Sequence, residues 1–131
     1  MKIWELWYAN FPYEDRPESK DRPVIVLNTN PLCVLSIKVT SQEIRDKDKY
    51  DTTIDHWQEA GLVKPSVARI SKTVSLDEDK FRRKIGDLHK DDIPIILKTY
   101  LQFLFDTQQI EIENETEADN DKPLMSSAVN E

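Results

Sequence analysis

The apolar positions of this chain fall in short runs separated by polar stretches until about residue 90, where their period changes. Ile3 to Phe11 is rich in Trp, Tyr and Phe, side chains suited to a pleated, half-buried surface. In a strand, Ile3, Glu5, Trp7 and Ala9 share one face, with Trp4, Leu6 and Tyr8 on the other. Pro12 ends that run, because proline cannot donate to a ladder. Residues 12–21 are almost wholly polar and read as an exposed loop. Val24-Ile25-Val26-Leu27 is a continuous apolar run of the kind found in a buried strand. Asn28-Thr29-Asn30-Pro31 has turn composition, so Val34 to Thr40 is expected to pair back on residues 24–27 as a hairpin. After a charged loop at 42–49, Tyr50 to Ile54 reads as a short strand and Asp55 to Gly61 as a helical turn. Asp55 suits its cap, and Gly61 suits a left-handed last position. Ser66 to Leu76 returns to strand character. Short strands with polar connections imply a small barrel or sandwich.

Beyond residue 90, Ile93, Ile96, Leu97, Tyr100, Leu101 and Leu104 recur at steps of three and four, which predicts a helix over 92–105. Asp91 and Asp92 stand where a cap and the positive helix end favour carboxylates, and Pro94 fits the first turn. The apolar stripe is expected to lie on the sheet. The predicted fold class is therefore mainly β with a C-terminal helix, in one domain over residues 1–106. Residues 107–131 are expected to form a separate acidic tail, too poor in large apolar groups to offset the entropy of ordering.

Charge changes the picture only when divided by segment. The 131 residues carry a net charge of −7, which argues against a polyanionic partner. Yet the tail holds seven acidic groups against Lys122 alone, while residues 1–106 hold 17 basic and 18 acidic side chains. The body is nearly neutral and has the means for a local basic face. No apolar run approaches the roughly 20 residues needed to cross a bilayer, and the start lacks signal-peptide character. The expected location is the cytoplasm. Cys33 is the only cysteine, so an internal disulfide and a cysteine-based zinc site are excluded; in its apolar run it reads as a small core residue. With Gly61 and Gly86 the only glycines, there is no phosphate-cradling or dinucleotide loop. No paired-histidine motif or nucleophile elbow is present, so no metal and no cofactor is expected. His56 and His89 read as isolated surface or capping histidines.

The candidate chemistry lies at strand edges. Arg22 opens a strand, Lys38, Thr40 and Ser41 close the next, and Arg69, Ser71 and Lys72 share a third. A planar guanidinium beside small hydroxyl donors is the equipment for gripping a phosphate. The same cations would also serve as surface ion pairs in a chain that is one-third charged.

In order and spacing these segments resemble the PemK/MazF-type toxin family of type II toxin–antitoxin systems. Glu5-Leu6-Trp7 and Phe11-Pro12-Tyr13 start the match. Arg22-Pro23-Val24-Ile25-Val26-Leu27 looks like the family's RPVLVL strand, and Val39-Thr40-Ser41 looks like its VTS strand end. Residues 61–69 resemble its GLxKPSxVR segment, and Lys84-Ile85-Gly86-Asp87-Leu88 its KIGxL close. The resemblance spans roughly residues 3–105. It implies an SH3-like barrel with a C-terminal helix, usually a homodimer, neutralised by a cognate antitoxin. It further implies metal-independent, sequence-specific cleavage of single-stranded RNA: the 2′-hydroxyl attacks the adjacent phosphate, leaving a 2′,3′-cyclic phosphate and a 5′-hydroxyl. On the family pattern Arg22 and Thr40 are catalytic, with Ser41 beside Thr40 and Arg69 matching an arginine that serves the site in some members; Lys38, Ser71 and Lys72, from the strand-edge reading, are expected with Ser41 and Arg69 to contact the RNA.

Two departures oppose a simple transfer. Many members have an aspartate where this chain has Ser71, which is no base at neutral pH. The glycine-rich loop with a Glu-Gln pair is replaced by Arg16-Pro17-Glu18-Ser19-Lys20-Asp21, where Glu18 is the available stand-in base. The competing expectation is thus a catalytically silent barrel acting through an antitoxin-like or nucleic-acid partner. A peptide-binding SH3-like module is weaker, since the aromatics of the first strand serve equally as core. The tail either solvates the protein or lies across the basic site and inhibits in cis.

Overall fold

A computed structural model of the chain describes residues 1–43 and 46–109. The acidic segment from Glu111 onward, with its expected disorder and cis-inhibitory role, lies outside the described residues. The chain divides into two compact units, Met1–Tyr100 and Leu101–Glu131.

The first unit is a mostly antiparallel sheet of six strands: β1 (Glu5–Pro12), β2 (Ser19–Val26), β3 (Val34–Ser41), β4 (Asp51–Ile54), β5 (Ser66–Leu76) and β6 (Phe81–Asp87). Their order across the sheet is β4-β5-β3-β2-β1-β6. A helix, α1 (Ile93–Asp106), runs from this unit into the second. The expected hairpin forms between β2 and β3, with Val24 opposite Lys38 and Ile25 opposite Ile37. Val24, Ile25 and Val26 are fully buried, which is why both faces of that run are apolar.

The structure corrects four expectations. The polar stretch 12–21 is not all loop: Asn10, Phe11 and Pro12 pair with Asp21, Lys20 and Ser19, leaving only residues 13–18 as the connection. Ser19, Lys20 and Asp21 are exposed there, so β2 shows no apolar alternation at that end, and Phe11 of β1 is the buried residue. Pro23 is tolerated inside β2 because pairing with β3 begins only at Val24. Second, β6 was unsigned by hydrophobicity, since Arg82, Arg83 and Lys84 face solvent on an edge strand. Third, Cys33 is exposed rather than buried. It sits in the β2–β3 turn, whose ends are held by the Asn28 side chain: its amide donates to the Cys33 carbonyl at 3.0 Å and accepts from the Leu35 N–H at 2.9 Å. Fourth, the stripe of α1 is not covered along its length. Ile96 is the helix's buried residue, whereas Ile95 and Leu97 are exposed, as are Leu101 and Phe105 in the second unit.

The barrel suggested by the pattern is not closed by hydrogen bonds between β4 and β6. The gap is narrowed instead by the turn after β4, where the two glycines of the chain meet. Gly61 has φ 94°, the left-handed conformation expected of it, and a Cβ there would stand 2.6 Å from the Ile85 carbonyl oxygen. A Cβ on Gly86 would run into the Ala60 carbonyl. Two backbones approach too closely for any side chain. Asp92 ties down the other end of this turn. Its carboxylate does not cap its own helix but accepts the Asp55 and His56 N–H groups at 3.3 and 3.0 Å, taking the role expected of Asp55.

One buried carboxylate stabilises β1. Glu5, 7% exposed, accepts from the Lys2 N–H and the Trp7 indole N–H, both at 2.9 Å, and pairs with the Lys84 ammonium at 3.1 Å. Burial pushes its pKa up, but the indole, the amide and Lys84 outweigh that and hold it down at about 2.

Candidate nucleic-acid interface

The β-sheet register brings the predicted cations together. Lys38 on β3 lies opposite Arg69 on β5, and Arg69 lies opposite Asp51 on β4. Between Ile37 and Lys38 the partner on β5 jumps from Thr73 to Arg69. The resulting bulge over Ile70, Ser71 and Lys72 is closed by the Thr73 hydroxyl donating to the Ile70 carbonyl at 2.7 Å. Bulges re-aim side chains, and this one puts both Arg69 and Lys72 within electrostatic reach of Lys38. Arg22 joins from β2 by donating to the Val39 carbonyl at 3.5 Å, next to the buried Thr40.

These cations are not equivalent. Arg69 is neutralised: its Nε and Nη2 donate to the two oxygens of Asp51 at 3.2 and 2.9 Å, and Nη2 also donates to the Asp46 carbonyl. The Asp51 hydrogen bonds raise its already high pKa. Lys72 meets Glu14, from the β1–β2 connection, at 2.6 Å. Arg22 and Lys38 have no carboxylate within 4 Å among the described residues. Burial lowers the pKa of both. For Lys38 the positive charges of Arg22, Arg69 and Lys72 lower it further, with Glu14 opposing. An anion seated between Arg22 and Lys38 would relieve that repulsion.

The Ser71 hydroxyl donates to the Asp48 carboxylate at 2.7 Å. The Tyr50 N–H, then Ser71, hold that carboxylate below its ordinary pKa. A carboxylate thus stands beside Ser71, supplied from the β3–β4 connection. Ser41 accepts the Glu43 N–H at 3.1 Å and closes the turn after β3. Glu18 is exposed and faces Arg16 at 3.9 Å. The loop carboxylate that reaches the basic cluster is Glu14, which sequence reasoning missed; no local signal distinguishes it from Glu18 in that polar stretch.

The fold and site so far define a small antiparallel β domain carrying a half-buried pair of cations, with no carboxylate within 4 Å among the described residues, beside a strand-end threonine. The family of PemK-like, MazF-like toxins of type II toxin-antitoxin systems matches residues 2–104, and this chain belongs to that family. In fold it is similar to the Mycobacterium tuberculosis toxin MazF-mt6, with TM-score 0.58 at 20% identity, covering 75% of this chain and 93% of that one. No curated protein sequence matches the chain.

Proposed function

We propose that this protein is a metal-independent endoribonuclease that cleaves single-stranded RNA in a sequence-specific manner. The observation that carries the reading is the Arg22–Lys38 pair, two cations with lowered pKa and, among the described residues, no carboxylate within 4 Å. The scissile phosphate sits between them, oriented by the Thr40 hydroxyl. Glu14 accepts the proton of the attacking 2′-hydroxyl. Arg22 stabilises the charge that grows on the non-bridging oxygens. Lys38, made a better acid by burial and its neighbours, protonates the departing 5′-oxygen. The products are a 2′,3′-cyclic phosphate and a 5′-hydroxyl. Arg69 and Ser71 act as positioning residues through Asp51 and Asp48, while Lys72 and Ser41 border the RNA.

The family supports an antitoxin as protein partner. The exposed Ile95 and Leu97 on α1 support a homodimer, which sedimentation equilibrium would test. No helix among the described residues is long and apolar enough to cross a membrane, and we place the protein in the cytoplasm. The deciding experiment incubates it, with chelator, with a long single-stranded RNA and maps product ends beside Arg22→Ala. Discrete cuts with cyclic-phosphate ends that vanish in the variant are expected. Absence of cleavage would replace this reading with the catalytically silent, partner-binding one.

A further inference from the structure

His56 and His89, isolated in the sequence, are stacked in the fold. Their rings lie 3.9 Å apart at 9°, and the ligand atoms of His56, Glu59 and His89 all fall within 4.8 Å of one another. We propose that these three side chains bind a divalent transition metal of the zinc class, clipping the turn after β4 to the segment that leads into α1.

The chemistry behind the rings supports the assignment. A metal-ligating histidine commonly donates its second ring N–H to a carboxylate, which fixes the tautomer and raises the basicity of the ligating nitrogen. Asp92, almost fully buried, stands 3.3 Å from His56 Nδ1 and is itself held by two backbone N–H groups. A proton on His56 Nδ1 therefore has its acceptor, and Nε2 is left with a lone pair. For His89, the Asp91 N–H donates to Nδ1 at 3.1 Å, while Asp91 Oδ2 is 3.8 Å from the same nitrogen. Moving the proton to Nδ1 exchanges the amide for that carboxylate and frees Nε2, which faces Glu59 Oε2 at 3.6 Å. Two imidazoles, that of His56 backed by the Asp92 carboxylate, with a third, anionic ligand alongside, is a donor set for Zn²⁺, Co²⁺, Ni²⁺ or Cu²⁺ rather than Mg²⁺ or Ca²⁺.

Binding requires a small closure. Ligand atoms about 2.0–2.1 Å from a tetrahedral centre are about 3.3 Å from one another, closer than those of the metal-free arrangement. Parallel rings also cannot aim both lone pairs at one point, so they must tilt. Glu59 is on the surface and both rings are partly exposed, so the closure falls on side chains. Water or Asp91 completes the shell. The site is separate from the basic cluster: His56 follows the end of β4 that pairs with Ser66, whereas Arg69 faces Asp51 at the other end. The metal would hold the fold together and take no part in RNA cleavage.

The test uses the full chain stripped with chelator and then dialysed. Co²⁺ is added while visible absorption is followed, and Zn²⁺ binding is measured by calorimetry. Saturation at one equivalent is expected, with a rise of about 5 °C or more in Tm under excess Zn²⁺. His89→Gln and Glu59→Gln should each weaken Zn²⁺ binding by more than about tenfold. Circular dichroism should match the parent, and the exposed Glu59 keeps the test valid if the histidine variant is misfolded. The inference is overturned by no heat and no Co²⁺ band at about 1 mM metal, three decades above a micromolar Kd. It is equally overturned by affinity unchanged in both variants, which would put the metal on other carboxylates and leave the stacked pair as packing.

Discussion

Replacing Glu5 by Gln removes one negative charge from a site that holds it in place through three donors. The carboxyl titrates at about 2 in the folded protein against an ordinary 4.5. That difference of about 2.5 units corresponds to about 3.4 kcal/mol at 1.36 kcal/mol per unit. Part of it comes from Lys84, whose side chain is 41% exposed and therefore screened, so the expected value is about 2–3 kcal/mol. Gln keeps an acceptor for Lys2 and Trp7 and approximates the protonated carboxyl. The sign follows from linkage: a depressed folded pKa contributes its full stability above about 4.5 and loses it as pH falls through about 2. Urea denaturation of the parent and Glu5→Gln should therefore differ by about 2–3 kcal/mol near pH 7. By about pH 3 the gap should fall below half of that, because the unfolded parent is by then protonated. A gap that is equal at both pH values would refute the electrostatic account and leave only lost packing or hydrogen-bond geometry.

Other variants probe the fold and the interface separately. Gly86→Ala drives a Cβ into the Ala60 carbonyl, a backbone atom that cannot rotate away, and should cost about 1–3 kcal/mol in chemical denaturation; a neutral result would show that β6 and the turn are not held in close contact. Asp51→Ala leaves the nearly buried Arg69 without its partner and should cost about 3 kcal/mol or more, whereas a loss under about 1 kcal/mol would mean that the guanidinium escapes to solvent. Lys38→Ala should lower RNA cleavage by about 10²–10³-fold in kcat with unfolding unchanged. It should also reduce the slope of log affinity against log salt by about 0.7 on single-stranded RNA; an unchanged slope would remove Lys38 from the phosphate contacts. Glu14→Gln should slow cleavage far more than Glu18→Gln, and the reverse order, read from initial rates, would return the base to Glu18.

The way each feature stabilises the fold decides whether sequence shows it. Val24-Ile25-Val26 must be apolar because β2 is covered on both faces, so its composition alone reveals it. Arg82-Arg83-Lys84 in β6 need only backbone pairing on one side, and nothing in their hydrophobicity marks a strand. The same holds for the outer β1–β2 hairpin, where Lys20 and Asp21 pair in solvent. Period identified α1, but period reports only that one face is apolar, not what covers it; Ile95 and Leu97 remain exposed. In the candidate interface, Arg22 and Thr40 stand out in the sequence through strand ends and a family resemblance, and Lys38 through its place near a strand end. Their partners do not. Asp48 reaches Ser71, Glu14 reaches Lys72 and His89 stacks on His56 only after the sheet has curled, and no local pattern encodes such a meeting. Where the sequence has Ser71, the fold brings the carboxylate of Asp48 to its hydroxyl, at 2.7 Å, from a neighbouring connection. On that argument Asp48→Asn should alter the pH profile of cleavage, whereas Ser71→Ala, which leaves the carboxylate charged, should chiefly change its magnitude. If both variants shift the profile alike, the two side chains act as one hydrogen-bonded unit and Asp48 is no substitute for the family's aspartate.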